Sequence, residues 1–146
     1  MRSPEKEFIK SIQVVGAVIL EPDETKSLNE KKILLVQRAK GDSGEGLWEF
    51  PGGKIEIGES KNQALMREID EELNLQIEII ESLGELVHHY PLVAVQLEIF
   101  ISKIKSGDLI LREHQAKKWI RPEEILETEL LEADRPFVQR LIQYLK

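Results

Sequence analysis

The chain contains no cysteine, so it has neither a disulfide framework nor thiolate chemistry. Its longest apolar run, residues 14–20, is far shorter than the ~20 residues that a membrane-spanning helix needs. Residues 1–10 carry charges where a secretory signal would be apolar. These absences predict a cytoplasmic protein that does not enter a membrane.

The chain also has fewer basic than acidic residues. The chain has 27 acidic residues against 20 basic ones, which gives a formal net charge of -7. Such a chain repels a polyanion, which disfavours extended nucleic acid as a partner. A small polyphosphate would be repelled as well, unless some carboxylates bind a divalent cation that inverts the local charge.

The length and composition are those of one globular domain. The 146 residues are 41% hydrophobic and 32% charged, and no internal repeat, low-complexity tract or linker divides them. Runs rich in β-branched and other apolar residues predict strands at residues 11–20, 33–36, 76–80, 92–101 and 117–120. Helical spacing predicts helices at residues 60–73, at 122–126 and from 136 onward. We therefore expect a single mixed α/β domain over residues 1–146.

The helix predicted at residues 60–73 has recognisable ends. Ser60 and Gln63 fit a capping box at its start, and Asn74 can close it in a left-handed conformation. Its apolar residues recur at three- and four-residue spacing, which predicts that one side packs against a core.

A neighbouring side of this helix carries three carboxylates. Successive residues turn by about 100°, so Glu68, Glu71 and Glu72 fall within roughly a third of the circumference. Like charges at this spacing cost a few tenths of a kcal/mol per pair in an isolated helix. Taken alone, the helix has the pattern of a solvated acidic surface, but a bound cation would also relieve the crowding.

The preceding residues favour the cation. Residues 53–75 resemble the box of the Nudix family: a glycine, five residues, a glutamate, seven residues, then Arg-Glu-apolar-x-Glu-Glu-x-Gly-apolar. The matching positions are Gly53, Glu59, Arg67, Glu68, Ile69, Glu71, Glu72, Asn74 and Leu75. Asn74 alone departs from the pattern, and asparagine is the non-glycine residue that best tolerates the left-handed conformation.

The resemblance extends to the MutT type of Nudix hydrolase. Residues 37–39, 47–51, 90–91, 112–115 with Trp119, and 133–136 are similar to segments of that type, in the same order. The resemblance implies an α/β/α sandwich around a mixed central sheet. It also implies hydrolysis of a nucleoside triphosphate to the monophosphate and pyrophosphate.

The resemblance further implies a metal site and its ligands. The Gly52 carbonyl with Glu68, Glu71, Glu72 and Glu113 would bind Mg²⁺, or Mn²⁺ in its place, because hard cations prefer oxygen ligands. Either Glu68 or Glu113 would take the proton of the attacking water. Glu59 would orient Arg67, and that ion pair would support the junction between loop and helix.

Substrate contacts are expected from the residues around the same glycines. The candidates are Arg38, Glu49, Phe50, Pro51, Gly52, Gly53 and Asp134. Arg38 would hold a phosphate or the base with its planar fork of donors, and Phe50 could stack on the base. Asp134 stands where the MutT type has an amide that reads the base, although a position two residues before Pro136 also suits a helix cap.

The expected substrate is 8-oxo-dGTP, with CTP or dCTP as the nearest alternative. Dinucleoside polyphosphates, nucleotide sugars and capped RNA are more distant alternatives. Two other classes remain open, a non-catalytic nucleotide-binding module and a structural domain with an acidic surface. The partner is a small nucleotide, and the protein is expected to be a monomer or a homodimer.

Overall fold

The computed structural model describes residues 10–146, so the charged leader at residues 1–9 lies outside the described part. The described part contains seven strands, which form one mixed sheet, and two α-helices. The strands are β1 (Lys10–Leu20), β2 (Ile33–Gln37), β3 (Trp48–Glu49), β4 (Gly52–Lys54), β5 (Gln76–His89), β6 (Val93–Ser106) and β7 (Ala116–Ile120). The helices are α1 (Lys61–Leu73) and α2 (Val138–Tyr144). Among these residues, no helix has the length and apolar character that crossing a membrane requires.

Strand β1 is the centre of the sheet. The strand order is β3-β2-β1-β6-β5, with β4 also paired to β1 and β7 to β2. Strands β1 and β6 run parallel, and the other pairings are antiparallel. Because β1 is covered on both faces, residues 15–20 are buried without interruption rather than in alternation.

The two faces of the sheet carry separate cores, which makes the domain an α/β/α sandwich. Alternate residues of β1, such as Val15 and Val18, point to opposite faces. Helix α1 packs on one face, through Leu65, Ile69 and Leu73 among others. Helix α2 packs on the other, with Phe137, Val138, Leu141 and Leu145 buried. The predicted fold class is confirmed.

The predicted ends of α1 are confirmed as well. The Gln63 amide donates to the Ser60 hydroxyl at 3.1 Å, and the Ser60 amide donates to the Gln63 side-chain oxygen at 2.9 Å. Asn74 adopts the left-handed conformation with φ 58° and ψ 34°.

Strand β5 is longer than predicted. The sequence predicted a strand over residues 76–80, separated from the next strand by Gly84 and residues 88–91, yet β5 continues to His89. Gly84 has a φ of 107°, and the pairing with β6 shifts register there. The glycine therefore allows a bulge that bends the strand without ending it. The segment predicted as a helix at 122–126 is a 3₁₀ helix, Pro122–Glu127.

The loop between β6 and β7 is hydrogen-bonded to the end of α1. The Ile110 and Arg112 amides donate to the Leu73 and Glu72 carbonyls at 2.9 and 3.0 Å. The side chain of Asn74 adds two further bonds, donating to the Asp108 carbonyl and accepting from the Arg112 guanidinium, each at 3.0 Å. The free carbonyls of the helix end are thereby satisfied, and the loop is held beside α1.

Substituting Asn74 separates its backbone role from its side-chain role. Asn74→Gly keeps the left-handed conformation but loses both side-chain bonds, so we expect a loss of about 1 kcal/mol in unfolding free energy. Asn74→Ala also introduces left-handed strain and should lose about 1 kcal/mol more. Urea denaturation measures both. A glycine variant as stable as the wild type would show that the side-chain bonds contribute nothing.

Candidate functional site

An acidic cavity of about 190 Å³ opens between α1, the β4 segment and the loop before β7. It is lined by Arg38, Asp42, Glu49, Gly52, Glu68, Glu72, Glu113 and His114. Six of the predicted substrate or metal residues therefore meet in one place: Arg38, Glu49, Gly52, Glu68, Glu72 and Glu113. Glu113 comes from the loop that is hydrogen-bonded to the end of α1.

Glu72 is the most confined carboxyl of this acidic cavity. It is only 4% exposed. Burial raises its pKa well above the ordinary value, and a hydrogen bond shared with Glu68 and the negative charges of Glu68, Glu113 and Glu49 act in the same direction. Such a group must either keep a proton or share its charge with a cation. An all-oxygen set around a buried acid suits a hard divalent cation.

The glycines of β4 let the chain approach this cavity closely. Gly52 pairs with Gly16 of β1, and a Cβ at position 52 would collide with the Val15 carbonyl oxygen. A Cβ at Gly53 would collide with the carboxyl group of Glu68. A larger residue at position 52 would push β4 away from β1, and one at position 53 would displace the Glu68 carboxylate.

Arg67 ties the carboxylates to the preceding loop. Its Nε and one terminal nitrogen donate to both oxygens of Glu59, at 2.6 and 2.9 Å. It also donates to the Lys54 carbonyl and to Glu68, both at 3.0 Å. The pair with Glu59 raises the pKa of Arg67 and lowers that of Glu59, so both remain charged. Neither Arg67 nor Glu59 lines the cavity.

Glu71 and Pro51, two further candidates from the sequence, also lie outside the acidic cavity. The Glu71 carboxylate is 55% exposed and accepts from Arg67 at 3.2 Å, so it faces the arginine and not the cavity. Pro51 is buried, and its carbonyl accepts from the Ala17 amide at 2.8 Å. Among residues 10–146, no three Asp, Glu or His side chains are already converged on one point as metal ligands.

A second, mostly apolar cavity of about 280 Å³ adjoins the first. Its walls include Phe50, Gly53, Tyr90, Leu97, Ile99, Leu131 and Asp134. Arg38, Glu49 and Gly52 line both cavities. A ligand with one apolar, planar end and one strongly anionic end would fit across the shared wall.

Asp134 is the acid of the apolar cavity. One of its carboxyl oxygens accepts from the Phe50 amide at 2.9 Å, across 84 residues of sequence. Burial is the main cause that raises its pKa, to about 8. Asp134 makes no capping bond with the helix that follows, so the alternative interpretation as a helix cap is wrong. Its side chain instead connects the last segment of the chain to β3.

The structure adds residues that the sequence did not single out. His114 is nearly buried, with its side chain 8% exposed and its Nε2 2.9 Å from a Glu49 carboxylate oxygen. Glu49 also accepts from Arg38 at 3.1 Å, and Arg38 donates to the Ser43 carbonyl. The sequence signal for His114 was its place directly after Glu113. By contrast, no local pattern marks Leu97, Ile99 or Leu131 as cavity residues.

Comparison with known proteins places these features in context. The model of the NUDIX domain matches residues 11–141. A CTP pyrophosphohydrolase of Escherichia coli (strain K12) is 37% identical over 131 residues, covering 90% of this chain and 91% of that protein. A putative 8-oxo-dGTP diphosphatase 2 of Mycobacterium tuberculosis is 30% identical over 77% of this chain and 81% of that protein. A crystal structure of a MutT protein from Methanosarcina mazei Go1 superimposes with a TM-score of 0.80 at 25% identity, covering 94% and 97% of the two chains.

Replacing Glu72 by Gln tests whether the raised pKa of Glu72 makes the stability of the metal-free protein depend on pH. The raised pKa means that folded wild type keeps a proton that the unfolded chain releases above the ordinary value of 4.5. Wild type should therefore lose stability as the pH rises above that value, whereas Glu72→Gln should lose less. Thermal unfolding with a chelator present, measured across this pH range, gives the two slopes. Equal slopes would show that Glu72 is not the titrating group.

Proposed function

This chain belongs to the NUDIX family and is a Nudix hydrolase, and from that premise we propose that it hydrolyses a nucleoside triphosphate to monophosphate and pyrophosphate. We further propose that the reaction depends on Mg²⁺, which Mn²⁺ can replace, and that the preferred base is cytosine. The observation that carries the proposal is the pair of adjoining cavities, one acidic and one apolar, with Arg38 and Glu49 in their shared wall.

The acidic cavity suits the triphosphate only together with a cation. A polyphosphate would be repelled by Glu68, Glu72 and Glu113 if these carboxylates stood alone. Together with the Gly52 carbonyl they provide oxygen ligands, and the raised pKa of the buried Glu72 agrees with an excess of negative charge in the cavity despite the presence of Arg38. Glu71 would join them only after leaving Arg67. A bound divalent cation neutralises phosphate charge and lowers the pKa of water.

The side chains around the cavity have separate tasks in this proposal. Glu68 or Glu113 accepts the proton of the attacking water, since both carboxylates line the acidic cavity. Arg67 and Glu59 hold Glu68 in place from outside. Arg38 exchanges its bond with Glu49 for a phosphate oxygen, for which its planar fork of donors is suited.

Asp134 supports cytosine as the base. With a pKa of about 8 it is mostly protonated at neutral pH, so its carboxyl group offers one donor beside one acceptor. The pairing edge of cytosine presents an acceptor, N3, beside a donor, the N4 amino group, and therefore matches a neutral carboxyl group. The similarity to a protein named CTP pyrophosphohydrolase agrees with this assignment.

A second candidate substrate is 8-oxo-dGTP. The pairing edge of guanine presents two adjacent donors, N1–H and the N2 amino group, which match the ionised form of Asp134. The similarity to a protein named putative 8-oxo-dGTP diphosphatase 2 favours this candidate. The two substrates therefore require opposite protonation states of one side chain.

Turnover of a nucleotide panel tests the proposed reaction. With Mg²⁺ present, we expect CTP or dCTP to yield monophosphate and pyrophosphate, resolved by chromatography. Glu72→Gln should keep the fold and lower kcat by about a hundredfold or more, because it removes a cavity carboxylate without removing packing. Glu127→Gln, which changes an exposed glutamate away from both cavities, is the matched control.

Three outcomes would contradict the proposal in different ways. Selective turnover of 8-oxo-dGTP would keep the reaction and replace the base. Turnover by Glu72→Gln equal to that of Glu127→Gln would remove Glu72 from the reaction. Nucleotide binding without any turnover would favour a non-catalytic binding module.

The base preference should change with pH through Asp134. As the pH rises through about 8, Asp134 loses its proton, so kcat/KM for CTP should fall relative to kcat/KM for 8-oxo-dGTP. Asp134→Asn always carries both a donor and an acceptor, so its ratio should stay flat. Asp108→Asn, at an exposed aspartate, should follow the wild type. A pH-independent ratio in wild type would exclude Asp134 as the group that reads the base.

A further inference from the structure

His114 lies between two sets of charged side chains in the acidic cavity, the Arg38–Glu49 pair and the carboxylates of α1. Its Nε2 lies 2.9 Å from a carboxylate oxygen of Glu49, and its Nδ1 lies 3.7 Å from an oxygen of Glu72. Within residues 10–146, this Nδ1 is the buried side-chain nitrogen or oxygen that has no hydrogen-bond partner. The ring therefore stands between the Arg38–Glu49 pair and the carboxylates of α1.

The backbone on both sides of His114 is held by hydrogen bonds. On one side the Arg112 amide donates to the Glu72 carbonyl at 3.0 Å. On the other side the Gln115 amide donates to the Gln37 carbonyl at 3.0 Å, and the Gln115 side chain donates to the Arg38 carbonyl at 2.8 Å. His114 is thus fixed between α1 and the end of β2 and cannot easily turn away from Glu49.

We propose that His114 is a positioning residue that holds Glu49 in the shared wall while Arg38 leaves it to bind a phosphate; this inference rests on the proposed function. A carboxylate only accepts hydrogen bonds, so the Nε2–H of His114 donates to Glu49. Glu49 is largely buried, with 14% of its side chain exposed, and needs a donor of its own once Arg38 departs.

Without His114, it would be energetically unfavourable for Arg38 to leave Glu49 and bind a phosphate oxygen. Glu49 would have Arg38 as its one side-chain donor, and releasing the arginine would leave a buried charge unpaired. With His114 in place, Glu49 keeps one hydrogen bond throughout and Arg38 is free to exchange partners. Loss of the histidine should therefore weaken nucleotide binding more than it slows the chemical step.

Two amide substitutions separate the two nitrogens of the ring. In His114→Gln the amide nitrogen can occupy the place of Nε2 and donate to Glu49, whereas the amide of His114→Asn reaches only the place of Nδ1. We expect His114→Asn to raise KM for the nucleotide by about tenfold, with kcat within about twofold of wild type. His114→Gln should restore KM. Substitutions of the exposed His89 by Asn and Gln are the matched controls.

Binding and stability measurements make the test independent of turnover. The dissociation constant of an α,β-methylene cytidine triphosphate, measured by calorimetry, should follow the same order as KM. Urea denaturation of His114→Asn, Glu49→Gln and the double variant, without nucleotide, should show non-additive losses of stability because the two side chains share one bond.

The outcomes distinguish this inference from the proposed function. Non-additive stability with unchanged KM and analogue binding in His114→Asn would make His114 merely structural and overturn the positioning role. A His114→Gln variant as impaired as His114→Asn would also overturn it. Failure of the wild type to hydrolyse any triphosphate would overturn the proposed function itself, whereas failure to bind the cytidine analogue alone would replace the base, and the His114 variants would then be compared with the triphosphate that is hydrolysed.

Discussion

Repulsion between the buried Glu72 and the carboxylates beside it shapes both the fold around α1 and the chemistry of the acidic cavity. Glu72 is enclosed with Glu68 and Glu113 nearby, and burial together with their charges raises its pKa. A stable fold tolerates such crowding only if protons or cations compensate it. Hydrolysis of a polyanion by a chain with a net charge of -7 has the same requirement. One divalent cation would therefore relieve the strain of the fold and make binding of the substrate favourable.

The surrounding structure keeps these carboxylates together despite their repulsion. Glycine at positions 52 and 53 lets the β4 segment approach both β1 and the Glu68 carboxyl group. Arg67 holds the outer side of the cluster, and the bonds between the end of α1 and the following loop hold Glu113 against the helix. These contacts keep the carboxylates near one another, although among residues 10–146 no three acidic or histidine side chains already converge on one point.

The elements that could be predicted from sequence are those with local causes. The capping box at Ser60, the left-handed Asn74 and the spacing of the helix glutamates depend on neighbouring residues, and the structure has the predicted helix. The extent of β5 was wrong because a glycine that ends a strand locally can form a bulge when a long partner strand continues. The bond between Asp134 and Phe50 joins residues 84 positions apart, and the contact of His114 with Glu49 depends on tertiary packing. Local patterns carry no information about either pairing.

If the acidic cavity binds a divalent cation through the carboxylates that line it, the cation should bind without nucleotide. Titration calorimetry of the metal-free protein with Mn²⁺ measures this binding and needs neither nucleotide nor turnover. We expect saturable binding at a defined site, strongly weakened in Glu113→Gln and unchanged in a variant of an exposed glutamate such as Glu78→Gln. Absence of saturable binding, or equal binding by both variants, would contradict this expectation.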